Sequence, residues 1–105
     1  MPNDHAAGRR AYEAYRAARG SKAHDGAPLP DWAAVSAANQ QAWASFALGA
    51  IAGATAETCY STHYLNEVRG LAVSGQPAPS FAYFRWNRPE IAGAWNAAWR
   101  AARAR

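Results

Sequence analysis

The chain has 105 residues and a mass of 11.3 kDa, enough for one domain with a core of modest size. Twenty-nine residues are alanine and only nine are valine, isoleucine or leucine, which argues against a β-sandwich. One cysteine excludes an internal disulfide scaffold, and five tryptophans with a net charge of only +4 argue against disorder. We therefore expect one all-α domain, 1–105, in which alanine surfaces pack closely around aromatic side chains.

Caps and helix breakers predict a small bundle of three to five helices. The first helix begins near the N-terminus and stops at Gly20, and the Gly- and Pro-rich segment 20–30 is a loop. Either Asp31 or Ser36 caps a second helix, which carries an apolar stripe. The helical pattern then continues, or restarts, near 55–58.

The C-terminal third contains an aromatic segment and a last helix. Residues 74–80 are typical of a linker or turn, and the following residues, 80–86, are aromatic and partly alternating. We expect the aromatic residues to form one short extended segment packed on the helices. Asn87 is the expected cap of the last helix, whose buried face includes Trp95 and Trp99.

A stripe of small residues lies beside the apolar face of the second helix. Small side chains four residues apart let two helix axes approach closely. The packing gained in such a contact offsets the loss of helix stability from glycine, which is about 1 kcal/mol for each glycine relative to alanine. We expect this face to pack on another helix, within the chain or in a homo-oligomer. Its members are Ala42, Ser45, Gly49, Gly53 and Ala56.

Basic side chains are concentrated at both ends of the chain. Residues 1–22 carry a net charge of +3 and residues 85–105 carry +4, whereas residues 23–84 carry −3. If the two ends meet in space, they form a surface suited to a polyanion. The candidate contacts to nucleic acid or an acidic partner are Arg9, Arg16, Lys22, Arg85, Arg88, Arg100 and Arg103.

The run 83–88 mixes aromatic and cationic side chains. Such mixtures bind single-stranded nucleic acid, because bases stack on the rings at about 1–3 kcal/mol per base. Burying one tryptophan, however, removes roughly 200 Å² from water, and this chain has few other large apolar residues. The sequence leaves both roles open for the aromatic residues in 81–86, and it favours the core.

Three potential metal ligands, Cys59, His63 and Glu67, are spaced four residues apart. A zinc site normally needs a fourth ligand, and nothing in the sequence brings His5 or His24 near them. The same Cys–His pair lacks the environment that would stabilise a thiolate, and the other carboxylates are scattered. We expect no catalytic residues, no metal and no cofactor, and therefore a protein that is not an enzyme.

Residues 9–50 contain a Tyr-x-Ala pattern, a Ser-Lys loop, a proline and a central tryptophan, in that order. This order resembles the ribosome modulation factor family, which carries Gly-Trp-Arg after the tryptophan where this chain has 45–47, Ser-Phe-Ala. The resemblance implies binding to RNA or to a ribonucleoprotein. The matching positions are Tyr12, Ala14, Ser21, Lys22, Pro28 or Pro30, Asn39, Gln40 and Trp43.

A second pattern in the same region is closer in spacing. It combines Tyr12 and Tyr15, a Gly20 loop, Leu-Pro-Asp-Trp at 29–32 and Gln-Ala-Trp at 41–43. It resembles small phage-encoded accessory proteins of unknown function. This likeness implies a role in taking over a host cell by binding one of its macromolecules.

These observations lead to two functional hypotheses. The first is a non-catalytic phage-type accessory protein that binds host nucleic acid or a ribonucleoprotein through the arginines. The alternative is a protein–protein module, either a host-defence inhibitor or a virion or assembly component, that uses the Ala/Gly face. The polar N-terminus and the scarcity of strongly apolar residues in 32–56 predict no membrane partner and a cytoplasmic location, that of the host cell if the protein is phage-encoded.

Overall fold

The structure is a computed structural model that describes residues 4–23, 26–68 and 78–104. This part of the chain contains five helices and no strand, which confirms the all-α prediction. None of the helices is both long and apolar enough to cross a membrane. The helices are α1 (Asp4–Ala18), α2 (Ala37–Ile51), α3 (56–67), α4 (Phe81–Asn87) and α5 (Pro89–Arg103).

Side-chain caps and one glycine turn set most of the helix ends. Ser36, Thr55 and Ser80 each precede a helix, and each side-chain oxygen accepts a hydrogen bond from the backbone N–H three residues later at 3.1–3.3 Å. The helix α1 ends in the left-handed turn at Gly20, where the Ser21 N–H returns to a carbonyl of the last helical turn. Of the two caps considered for α2, Ser36 is therefore the one used.

Helix α3 differs from the others because its centre is a π-helical turn. It consists of Ala56–Thr58, the π turn Cys59–Tyr64 and Leu65–Glu67. The turn directs the rings of Tyr60 and Tyr64 into the core, where they stack with centroids 6.0 Å apart.

The helices pack around α2. Helices α2 and α3 are antiparallel, since Gly49 lies against His63 and Ser45 contacts Glu67. Helix α5 packs on α2 and runs antiparallel to α1. Gly8 brings α1 so close to α2 that an added Cβ would lie 2.8 Å from the backbone nitrogen of Ala44.

Trp95 of α5 occupies the centre of the core. Its side chain is 4 % exposed, and five aromatic rings have centroids 4.5–5.4 Å from its own. The stack on Trp43 is nearly parallel, with an interplanar angle of 11°. The surrounding rings belong to Tyr15, Trp43, Phe46, Tyr60 and Tyr64.

The prediction of an extended aromatic segment at 80–86 is wrong, because Phe81–Asn87 is the helix α4. Ser80 caps it, and Phe81 and Phe84 are both buried, as the helical spacing of three requires. Over seven residues an alternating and a helical pattern differ at only a few positions, which is why the sequence was misleading. Of the linker predicted at 74–80, residues 74–77 lie outside the described ranges, and 78–80 are not helical.

The residue before α5 is Arg88, and Asn87 is not the helix cap that the sequence predicts. Asn87 is instead the last residue of α4, and its amide nitrogen donates to the carbonyl of Tyr83 at 3.3 Å. Pro89 begins α5, a position that favours proline, and Trp95 lies on the buried face as predicted, whereas Trp99 is only half-buried.

Two tryptophan-to-alanine substitutions should differ sharply in their effect on stability. Trp95→Ala removes the central ring and should lower the free energy of unfolding by about 3–5 kcal/mol. Trp86→Ala is the matched control, because that side chain is 79 % exposed and its loss should change stability by no more than about 0.5 kcal/mol. Urea denaturation followed by circular dichroism measures both values. Equal losses in the two variants would contradict this description of the core.

Candidate functional site

The two basic ends of the chain lie side by side. Helices α1 and α5 are antiparallel neighbours, and the Arg10 guanidinium donates to the carbonyls of Ala101 and Ala102, both at 3.3 Å. These acceptors belong to the C-terminal turn of α5, where helical carbonyls are otherwise free. The two basic ends of the chain therefore meet in space, as a shared basic surface requires. Arg10, which the sequence analysis did not single out, joins them.

Besides Arg16, three of the candidate arginines form ion pairs at the surface. Arg9 lies 2.9 Å from the carboxylate of Glu13, and Arg88 lies 2.6 Å from that of its near neighbour Glu90. Arg85 pairs with a carboxylate of α3. All six side chains are between two-fifths and three-fifths exposed, and ion pairs in water are worth about 0–1 kcal/mol. A phosphate group can replace such a carboxylate at little cost.

Two other candidate arginines are tied into the fold. The Nε of Arg16 donates to the carbonyl of Leu29 at 3.1 Å, and its side chain also reaches Asp31 at 3.3 Å. The Nη1 of Arg103 donates to the carbonyl of Ala50 at 2.7 Å. Both hydrogen bonds join segments that are distant in sequence. These two arginines therefore stabilise the fold, and they are less available than exposed arginines to bind a partner.

Lys22 and Arg100 are exposed, and neither has an ion-pair partner within the described ranges. Lys22 belongs to the loop after α1, where its backbone forms an isolated bridge with Pro28. Arg100 lies on the face of α5 opposite the buried Ile91 and Trp95, as the helical period requires. These two cations are the most available of the candidate set.

Helix α4 has both a buried and an exposed aromatic face, whereas the sequence left the two roles open for 81–86 and favoured the core. Trp86 is 79 % exposed and Tyr83 is 46 % exposed, one helical turn apart. The other four tryptophans of the chain are buried or half-buried. The helix therefore divides its aromatic residues, with Phe81 and Phe84 in the core and the other two rings in water. A helical reading of 81–87 would have separated these two pairs.

The Ala/Gly face packs inside the chain. A Cβ on Gly49 would lie 2.6 Å from Cδ2 of His63 and 3.2 Å from Sγ of Cys59, so α3 covers this position. Ala42 and Ala56 are buried as well. The predicted helix–helix contact is thus found between α2 and α3, which leaves Gly49 unavailable to a second copy.

Gly53 does not belong to that contact, contrary to the expectation from spacing. Helix α2 ends at Ile51, and Gly53 has a φ of +104° in the turn that follows, where an added Cβ would have no packing neighbour within 4 Å. Backbone conformation, and not close packing, is therefore the reason for a glycine here. Ser45, one helical turn before Gly49, donates to the Glu67 carboxylate at 3.0 Å.

Cys59, His63 and Glu67 do not form a metal-binding cluster within the described residues, and burial of Cys59 disfavours its thiolate form. Burial raises the pKa of the Cys59 thiol to about 11, although the nearby Arg103 acts in the opposite direction. The Glu67 carboxylate is engaged by Ser45. No cluster of three or more His, Cys, Asp or Glu side chains suited to a metal occurs in the parts of the chain described.

Comparison of the chain with models of protein families, with curated proteins and with solved structures found no match.

Replacing Gly49 by leucine should unpack α3 from α2. The added atoms would collide with His63 and Cys59, and we expect a loss of about 1–3 kcal/mol in the free energy of unfolding. The molar mass measured by light scattering should remain that of the wild type. Gly93→Leu is the control, because Gly93 is exposed on α5 with no atom within 4 Å of an added Cβ. A lower mass for Gly49→Leu at unchanged stability would show instead that this face joins two copies.

Proposed function

We propose that this protein is a non-catalytic accessory protein of the phage type that binds host RNA, free or in a ribonucleoprotein, at unpaired bases. The single observation that carries the proposal is the exposed Trp86. The chain has few large apolar residues, yet it leaves this ring 79 % in water on a short helix that is otherwise well anchored. An exposed ring with this surface area is suited to contact with a partner.

Base stacking is the interaction that this face offers. Trp86 and Tyr83 are adjacent on the solvent side of α4, so that two successive bases of a strand can each meet a ring. Stacking of this kind is worth about 1–3 kcal/mol per base and requires bases that are not already paired. The proposed target is therefore a single strand, a loop or a bulge, since the major groove of an RNA duplex is too narrow for side chains.

The charges around α4 supply the contacts to phosphate. Arg88 follows the helix directly, and its ion pair with Glu90 is exposed enough to open for a stronger anion. Arg100 is exposed near the other end of α5, where it can contact a phosphate further along the strand. The resemblance of residues 9–50 to the ribosome modulation factor family supports an RNA or ribonucleoprotein as the target, and the likeness to small phage-encoded proteins supports the phage type.

A protein–protein module is the second proposal. Trp, Tyr and Arg are also the residue types that dominate protein–protein hot spots, and α4 presents all three together. Such a module would use α4, because α3 covers the Ala/Gly face that the sequence suggested for it. A host-defence inhibitor or an assembly component would then bind with little dependence on salt, which distinguishes it from an RNA-binding protein.

Fluorescence anisotropy with a labelled oligouridine tests the first proposal. Trp86→Ala should weaken binding by about 5- to 150-fold, the equivalent of one lost stacked base. Leu48→Ala is the matched control, because Leu48 is an exposed apolar residue of α2 and its truncation should leave the affinity unchanged. The proposal is wrong if the two variants bind equally well.

The same titration at several salt concentrations tests the role of charge. If three phosphates are neutralised, the slope of log K against log salt should be about −2, or about a 20-fold loss between 50 and 200 mM. Arg88→Ala should reduce the magnitude of that slope by about 0.7. An affinity that does not respond to salt would favour a protein partner.

A further inference from the structure

A groove of about 330 Å³ opens between α3, α4 and α5. Its apolar lining comes from Ala56, Phe81 and Ala92, which belong to α3, α4 and α5 respectively. Small-molecule sites have volumes of about 300–1,000 Å³, so this groove is large enough for a planar heterocycle. Arg85, which lines the groove, directly precedes Trp86 in α4, so the groove lies one residue along the chain from the proposed stacking surface.

The polar lining of the groove is electrically balanced. Arg85 of α4 and Glu57 of α3 form an ion pair at its edge, and each side chain is nearly half exposed. The guanidinium also lies 5.5 Å from the centre of the Phe81 ring, which holds it over apolar surface. Because the one cation and the one anion neutralise each other, the groove suits a neutral polar ring better than a phosphate.

Asn96 of α5 adds a polar group. Its amide nitrogen donates to the carbonyl of Ala92 at 3.1 Å, which fixes the side chain on its own helix. Within the described residues its side-chain oxygen has no donor. The groove therefore presents guanidinium donors, a carboxylate acceptor and a further amide oxygen, the kinds of group that recognise the edge of a nucleobase.

We infer that this groove takes up one guanine of the bound strand, next to the base that stacks on Trp86. Guanine is the base with two adjacent donors on one edge, N1–H and the N2 amino group, which match the two oxygens of the Glu57 carboxylate. Its neighbouring O6 accepts from Arg85, as guanine O6 commonly does from arginine. The inference rests on the proposed function and adds a base preference to it.

The test compares two labelled oligonucleotides by anisotropy, an oligouridine and the same oligonucleotide with one central guanosine. The guanosine should increase the affinity of the wild type by about 5- to 150-fold. Glu57→Gln should abolish most of this gain, because a carboxamide offers only one acceptor to the two donors. Glu13→Gln is the matched control, since it makes the same change in net charge at an exposed glutamate of α1.

Ala92→Leu is a second variant that does not depend on charge. Ala92 lines the groove and is 8 % exposed, so the larger side chain should fill space that the base would take. It should remove the preference for guanosine and leave binding of the oligouridine unchanged. Equal binding of the two oligonucleotides by the wild type, or a preference that survives both variants, overturns the guanine site alone. Failure of the wild type to bind either oligonucleotide overturns the proposed function as well.

Discussion

Two stacked indole rings, Trp43 on α2 and Trp95 on α5, lie with centroids 4.8 Å apart where the helices of the bundle meet. The rings of Tyr15, Tyr60 and Tyr64 close around this pair from α1 and α3. Neither indole N–H has a hydrogen-bond partner among the described residues, so the pair stabilises the fold through packing and ring contact. A chain with so few aliphatic residues depends on this contact to exclude water from its centre.

The alanine content was enough to predict the fold class, and the helical pattern of the last helix was enough to predict that Trp95 is buried. Contacts between segments that are distant in sequence could not be predicted, because the periodicity of one helix shows which face is buried but not which other helix packs against it. Gly8 is an example, since it is needed only because α1 approaches the backbone at Ala44. Gly53 is another example. Its spacing placed it on α2, but α2 ends at Ile51 and Thr55 caps the next helix, so Gly53 lies in the turn between them.

The candidate site was predicted in part. The basic ends do meet through α1 and α5, but the sequence could not show that Arg16 and Arg103 would bond to carbonyls of distant segments. The aromatic residues of 81–86 were assigned as one group, because a short run gives a weak periodic signal. The helix separates them, and the exposed Trp86 is the residue on which the proposed function now depends.

Intrinsic tryptophan fluorescence tests most directly whether RNA binding uses the exposed Trp86. Titration of the wild type with an oligouridine should quench its emission in step with the anisotropy of the labelled strand, because a base stacks on the exposed Trp86. Trp86→Phe keeps a ring for stacking but removes the fluorophore, so binding should persist while the quenching is lost. Equal quenching in the variant, or binding by the wild type without quenching, would contradict the account.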